Sequence, residues 1–553
     1  MLIRIILTAG MISSFLFASF PGEVSAQMLY LLHRGEVQRA FQIYLDHSTE
    51  GHDFDLLQQA AIQLLKQGAR SDDLEIQLMS LFGAGVANSA ELIPVLEKGL
   101  LSSEMKIQLV ALSYLSRLQD DEADLLLVKA LSSPFLLTRL EACYQLASKN
   151  HPSILGLLQS LMVKVPTEVR PLFPQIACKI EGAQAHAYMR QLLTDNDINV
   201  RLSAILTVAQ EKRDDFLIQI RDLATQAHHA IQESAALTLG ELKDTQSLEI
   251  LRKLLTSKRV TVRLAAAVGL YSLGEETYLT VIEEEAAQGN LFAIHILGKL
   301  RKGEDLLKKL IHHEDRDVRL NTILSLLNMR SREAKEHLKE ILMCDKQDLG
   351  FIQTVSAGGG LKTWKTIPSA NSHSKIYPTL KGQTRLLREE ALILSLELPE
   401  SDFLEIARLV FEERQYDLIP LTIAALESRK SDQVIELLKE MQQKAGVPFI
   451  RHYCTLALYR LMEEDFYEKQ LIQWVEKANN QALIQFREEN SIADRDSTYV
   501  LTPEETSQIL IDTFETFAQT QSERGTEVLI QAIAYGNPKN RYALAGLLIR
   551  TTE

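Results

Sequence analysis

The sequence predicts an all-α chain, an α-solenoid or superhelix of stacked antiparallel helical hairpins with a period of 31. Three observations predict it: self-similarity at that fixed step, apolar residues recurring at helical intervals on both sides of a polar turn, and a composition rich in helix formers. At 553 residues the chain is too long for one compact core, which leaves several domains or an elongated array. Hydrophobic residues are 46% but aromatics only 6%, with Gly and Pro sparse, and this favours the array.

The repeat carries most weight. "SDDLEIQLMSL" at residue 71 aligns with "SSEMKIQLVAL" at residue 102, and the same step of 31 continues through Gln77, Gln108, Arg139, Arg170, Arg201, Gln232 and Arg263. The residues before these anchors are Ile76, Ile107, Thr138, Val169, Val200, Ile231 and Val262, six of the seven aliphatic. Three residues after them stand Ser80, Ala111, Ala142, Phe173, Ala204, Ala235 and Ala266, where a helix packed closely on its neighbour needs a short side chain. Phe173 is the exception, and Pro171 and Pro174 around it predict a distorted helix. The clearest unit is 248–274. Leu248, Leu251, Leu254 and Leu255 form one stripe, Thr256 to Arg259 the turn, and Val262, Ala266, Leu270 and Leu273 a second stripe closed by Gly274. Neither stripe can be buried within one hairpin, so neighbours must stack. The next anchor after Arg263 is Arg319, a spacing of 56 where two full steps would make 62. A short or degenerate unit over "YLTVIEEEAAQGNLFAIHILGKL", with a bend, is expected there.

The strings "DINVRLSA" (Asp197 to Ala204), "RVTVRLAA" (Arg259 to Ala266) and "DRDVRLNT" (Asp315 to Thr322) resemble short-period HEAT repeats and the HEAT-like repeats of the phycobilisome-lyase type, whose signature is Asp-x-x-Val-Arg-x-x-Ala. The resemblance covers roughly residues 70 to 345. It implies a ladder of hydrogen bonds between successive repeats, falling on Asp197 with Arg201 and on Asp315 with Arg319, while Arg139 and Arg263 lack the aspartate. Bilin lyase activity belongs to some relatives of the repeat, and no catalytic marker here carries it over.

Residues 1–26 read as a signal peptide: Arg4, an apolar stretch from Ile5 to Phe20, then Val24-Ser25-Ala26 before an expected cleavage at Gln27. Export to the periplasm or beyond follows, with no transmembrane span left after cleavage. Residues 27–70 are expected to be N-terminal capping helices, 71–348 the HEAT-like solenoid, 349–388 a long basic loop, and 389–553 further helical repeats. The loop has no acidic residue, and Lys362, Lys365, Lys375, Lys381, Arg385 and Arg388 give it +6. Within a total of −14 that leaves −20 on the remainder. With Phe351, Trp364 and Tyr377 interleaved, such a loop can fold onto an acidic partner or lean on its own acidic chain. The candidate partner contacts are therefore Lys362, Trp364, Lys365, Lys375, Tyr377 and Lys381.

The net charge argues against general nucleic-acid binding, because phosphate contacts need a basic surface. Gly358-Gly359-Gly360 lacks a following Gly-Lys-Ser/Thr, so it is no phosphate cradle. Cys143, Cys178, Cys344 and Cys454 lack metal-ligand spacing and are expected as free thiols, and His228-His229 and His312-His313 as surface residues at turns. No catalytic residue, cofactor or metal is assigned. The expectation is an exported, non-enzymatic scaffold for a protein partner. The alternatives are an enzyme or enzyme subunit using 349–388 as a lid, and a secreted effector binding host proteins.

Overall fold

The computed structural model describes residues 22–48, 51–151, 154–343, 351–357, 361–367, 380–479 and 503–552. Among them the chain is all-helical except for one two-stranded antiparallel hairpin. It divides into two compact units. Unit 1 comprises Met1–Leu126, Met462–Phe486 and Leu501–Glu553, and unit 2 comprises Leu127–Leu461 and Arg487–Val500.

Within unit 2, second segments of successive hairpins begin at Leu136, Thr167, Ile198, His229, Val260 and Leu291, each a full step of the repeat after the last. The next begins early, at Arg316. The stretch expected to be degenerate is thus a helical hairpin in phase, Leu279–Ala287 with Leu291–Leu300, and the shortening falls one hairpin later. Small residues let second helices approach closely. A Cβ on Gly240 would meet the Gly269 Cα at 2.6 Å, and one on Gly298 would meet the Ser325 Cα at 2.6 Å. At Pro171 and Pro174 the regular second helix gives way to a 3-10 segment, Thr167–Leu172, and a short helix, Phe173–Ala177. Phe173 is fully buried there, filling room that a continuous helix would take.

The turn chemistry is legible atom by atom. Each of six anchors donates to the backbone carbonyl six places earlier: Gln77 to Ser71 (2.6 Å), Gln108 to Ser102 (2.7 Å), Arg139 to Ser133 (2.6 Å), Arg201 to Asp195, Arg263 to Ser257 (3.1 Å) and Arg319 to His313 (2.8 Å). The side chain of that earlier residue accepts from the backbone N–H two places on, as Ser71 does from Asp73 and Asp195 from Asp197. Both groups belong to the turn between helices, where the helix ladder satisfies neither. Arg170 and Gln232 have Lys164 and Gln226 at the equivalent place, long side chains that cannot make the same local bond.

The ladder expected between Asp197 and Arg201, and between Asp315 and Arg319, takes another form. Asp197 and Asp315 cap their own helices, accepting from Asn199 (2.9 Å) and Asp317 (2.8 Å). The link to the next hairpin runs instead from Arg319 to Glu340 (2.7 Å) and from Arg263 to Glu285 (3.5 Å), glutamates on the following first helices. Arginine has donors to spare for this second bond.

Unit 1 joins the two ends of the chain. Its last helix, Arg541–Thr552, packs against both Phe54–Gly68 and Leu74–Ala87. Ala543, Leu544, Ala545, Leu547, Leu548 and Ile549 are at most 1% exposed. The approach is close because two glycines face each other: a Cβ on Gly546 would fall on the backbone of Gly83, and one on Gly83 on the Tyr542 carbonyl. Lys539 pairs with Glu75, and Arg541 donates to the Ile533 carbonyl (2.8 Å) and the Ala534 carbonyl (3.2 Å), satisfying the end of the preceding helix. The division expected at residues 27–70 and 389–553 is accordingly not that of the fold. The N-terminal helices are not a free cap, and the final repeats belong to their unit.

Candidate partner-binding surface

The expected loop 349–388 is not one loop. β1 (Phe351–Ala357) and β2 (Leu361–Ile367) form an antiparallel hairpin pairing Val355 with Thr363, and a helix spans Leu380–Ser395. The loop reading failed because strand pairing is a tertiary event, and Gly and Pro on either side of two short strands hide it. Lys362, Trp364 and Lys365 lie on β2 and Lys381 on the Leu380–Ser395 helix, while Lys375, Tyr377, Cys344, Gly358-Gly359-Gly360 and most of the signal peptide lie outside the described residues. The backbone of β2 runs against the Ile198–Gln210 helix, and β1 against Leu291–Leu300 and Arg316–Asn328. Arg388 is no free charge. Its guanidinium binds Asp417 at 2.7 Å and the Leu342 carbonyl at 2.9 Å, a half-buried tie that fixes the helix after the hairpin.

The Ile198–Gln210 helix also lines an open groove of about 740 Å³ in unit 2. The proline-broken segment Thr167–Leu172 lines it on the other side. Pro171, Leu172, Leu202 and Leu206 supply its apolar lining, and Asp197, Ser203 and Gln210 are among its eight polar positions. Ser203 donates to the Pro171 carbonyl at 2.5 Å, tying the two walls. Leu172 is 40% exposed, and both amide atoms of Gln210 are shielded from solvent without a hydrogen-bond partner. A shielded, unsatisfied amide carries a cost that a bound peptide group would remove.

The groups that most resemble catalytic ones do structural work. His186 lies 3.2 Å from Asp215 and stacks on Phe216, and Arg213 grips Asp215 while donating to the Cys178 carbonyl at 3.0 Å. Arg213, through its hydrogen bonds, holds the Asp215 carboxyl below the usual range. Burial pushes the Cys178 and Cys143 thiols up to about 12 and raises Cys454 as well, so none of the three is a ready nucleophile. These three cysteines are free and buried. No cluster of three or more metal-ligating side chains occurs among the described residues, and no described helix is long and apolar enough to cross a membrane.

Sequence reasoning found the anchors but missed the residue six places before each of them. The signal was present as Ser71, Ser102, Ser133 and Ser257, all in phase with the repeat. It missed the groove as well, whose lining residues come together only when the two segments stack.

Residues 187–274 match the family described as HEAT repeats. Among solved structures, the chain is similar to the Escherichia coli protein YibA at 16% identity, covering 45% of this chain and 83% of that one, with a TM-score of 0.23. It is similar to Kap95p, solved with RanGDP, at 13% identity over 94% of this chain and 70% of that one, with a TM-score of 0.33. Importin beta gives 12% identity over 94% and 75%, with a TM-score of 0.30. No curated protein matches the chain.

Proposed function

Starting from HEAT repeats at residues 187–274, we propose that the chain is an exported, non-enzymatic scaffold whose second-helix face in unit 2 binds a protein partner. The observation that carries this reading is the groove beside Ile198–Gln210, apolar along Leu172, Leu202 and Leu206 and ending in the unpartnered amide of Gln210. Apolar contacts with one unsatisfied amide suit a peptide segment, which offers side chains and backbone groups together. Stacked hairpins present such surfaces because each contributes one helix to a common face. Export is supported by residues 1–26 and by the first described helix, Gly22–His33. Its buried residues are Met28, Leu31 and Leu32, so cleavage before Gln27 would remove none of the buried side chains of that helix.

The test is cross-linked capture from native cells with residues 27–553 and with the same chain carrying Leu206→Arg. The expected result is a partner held by the first and reduced at least tenfold by the second, with both chains equally helical by circular dichroism. Equal capture by both would remove the groove from the account, and turnover of a substrate by the purified chain would overturn the non-enzymatic reading.

A further inference from the structure

The hairpin lies against second helices of unit 2, and one of these, Arg316–Asn328, is enclosed on every side. Leu320, Ile323, Leu326 and Leu327 are fully buried, and so, to within 3%, are Asn321, Thr322 and Ser325. A helix with polar residues among its apolar ones ordinarily keeps one face in water. Here the surroundings are the helices Leu291–Leu300, Glu304–Leu310, Glu333–Leu342 and Leu380–Ser395, and β1. Each of these polar side chains donates to a helix carbonyl: Asn321 to that of Asp317 (2.7 Å), Thr322 to that of Val318 (2.7 Å) and Ser325 to that of Ile294 (2.9 Å). The hydroxyls of Thr322 and Ser325 are therefore satisfied whether the strand is there or not.

A two-stranded hairpin is marginal by itself in water, so β1 and β2 depend on the helices they lie against. Their departure exposes one face and breaks no continuous core. The segment 351–367 carries +2 and no acidic residue, against −16 on the rest of the chain, so charge favours its return. β2 itself reads Leu361-Lys362-Thr363-Trp364-Lys365-Thr366-Ile367, an extended segment with two lysines. The helix it runs against, Ile198–Gln210, is the one that keeps an open groove.

We propose that the paired strands Phe351–Ala357 and Leu361–Ile367 are the resident, displaceable occupant of unit 2's second-helix face, and that this face takes extended, basic segments, so that a partner binds by competing with the chain's own strand. This rests on the scaffold reading for its biological meaning, but its physical content can be tested without any partner.

The experiment replaces residues 351–367 by a Gly/Ser stretch of equal length and adds a synthetic peptide of residues 349–369 in trans, with a scrambled peptide as control. The expected result is saturable one-to-one binding to the replaced chain, at least tenfold tighter than to the intact chain and than the scrambled peptide. Absence of binding, or equal binding to intact and replaced chains, overturns the proposal. Should the replaced chain lose its helical signal, Val355→Pro in the full chain gives the same answer by amide exchange. Exchange in Ile198–Gln210 and Arg316–Asn328 is expected to quicken at least tenfold while Asp432–Lys444 stays unchanged, and no change in the first two would sink the idea. Capture lost with Leu206→Arg but no peptide binding would fail this inference alone, and peptide binding with no partner captured would fail only the scaffold reading.

Discussion

Unit 1 and unit 2 use the same packing device at opposite sequence distances. In unit 2 the close approach of Gly240 to Gly269 joins second helices of consecutive hairpins. In unit 1 the approach of Gly546 to Gly83 joins helices from opposite ends of the chain. The local contact follows from the repeat, because each hairpin must cover its neighbour. The distant one does not, since nothing in a repeat says which hairpin covers the first. Unit 2 can gain its contacts hairpin by hairpin, whereas unit 1 must close a loop that holds most of the sequence.

The first prediction tests that contrast. Gly546→Leu would drive a side chain into the Gly83 backbone and Gly269→Leu into the Ala236 carbonyl, each destabilising by about 3 kcal/mol. In amide exchange, Gly546→Leu is expected to unprotect Phe54–Gly68 and Leu74–Ala87 together and leave Ile198–Gln210 unchanged, while Gly269→Leu does the converse. Loss of protection across the whole chain from either substitution would erase the distinction.

Acid separates the units next. Burial lowers His295 and His452, both in unit 2, to about 4, aided at His295 by Lys299 and at His452 by Arg451. A histidine depressed in the folded state gives stability that is complete above its unfolded value of about 6.5 and is lost as pH falls towards 4. The loss is on the order of 3 kcal/mol per histidine for a shift of this size. Urea midpoints followed at pH 7 and pH 4.5 should fall less for His295→Gln than for the unaltered chain, and an identical fall would remove His295 from the account.

Smaller effects come from the turn anchors. Gln77 in unit 1 ties one carbonyl, while Arg319 in unit 2 ties the His313 and Glu314 carbonyls and reaches Glu340. Gln77→Met is expected to cost about 1 kcal/mol and Arg319→Met about 2 kcal/mol in chemical denaturation. Equal costs would mean that the Glu340 link contributes nothing measurable, as exposed ion pairs often do.

How much could be read from sequence follows the same division. The anchors from Gln77 to Arg263, the short residues behind them and the break at Pro171 and Pro174 were visible because repetition restates each local constraint. The hairpin was not, because two short strands between glycines and prolines carry no period long enough to read. The ladder partner was misassigned to Asp197 and Asp315, since a capping aspartate and a laddering one occupy the same place in a sequence. Glu285 and Glu340 stand on the following first helices, and only the stacking brings them to Arg263 and Arg319. Arg388 shows the limit for charge counting: it contributed to the loop's +6, yet in the fold it is held by Asp417.

The central claim is that a partner engages the second-helix face of unit 2. A photo-cross-linking residue placed at Leu206, in the groove, and separately at Ile218, 62% exposed on the first helix Leu217–Ala224, tests it in native cells. The account predicts a discrete protein adduct from position 206 and none from 218. An adduct from 218 alone, or the same adduct from both, would contradict it.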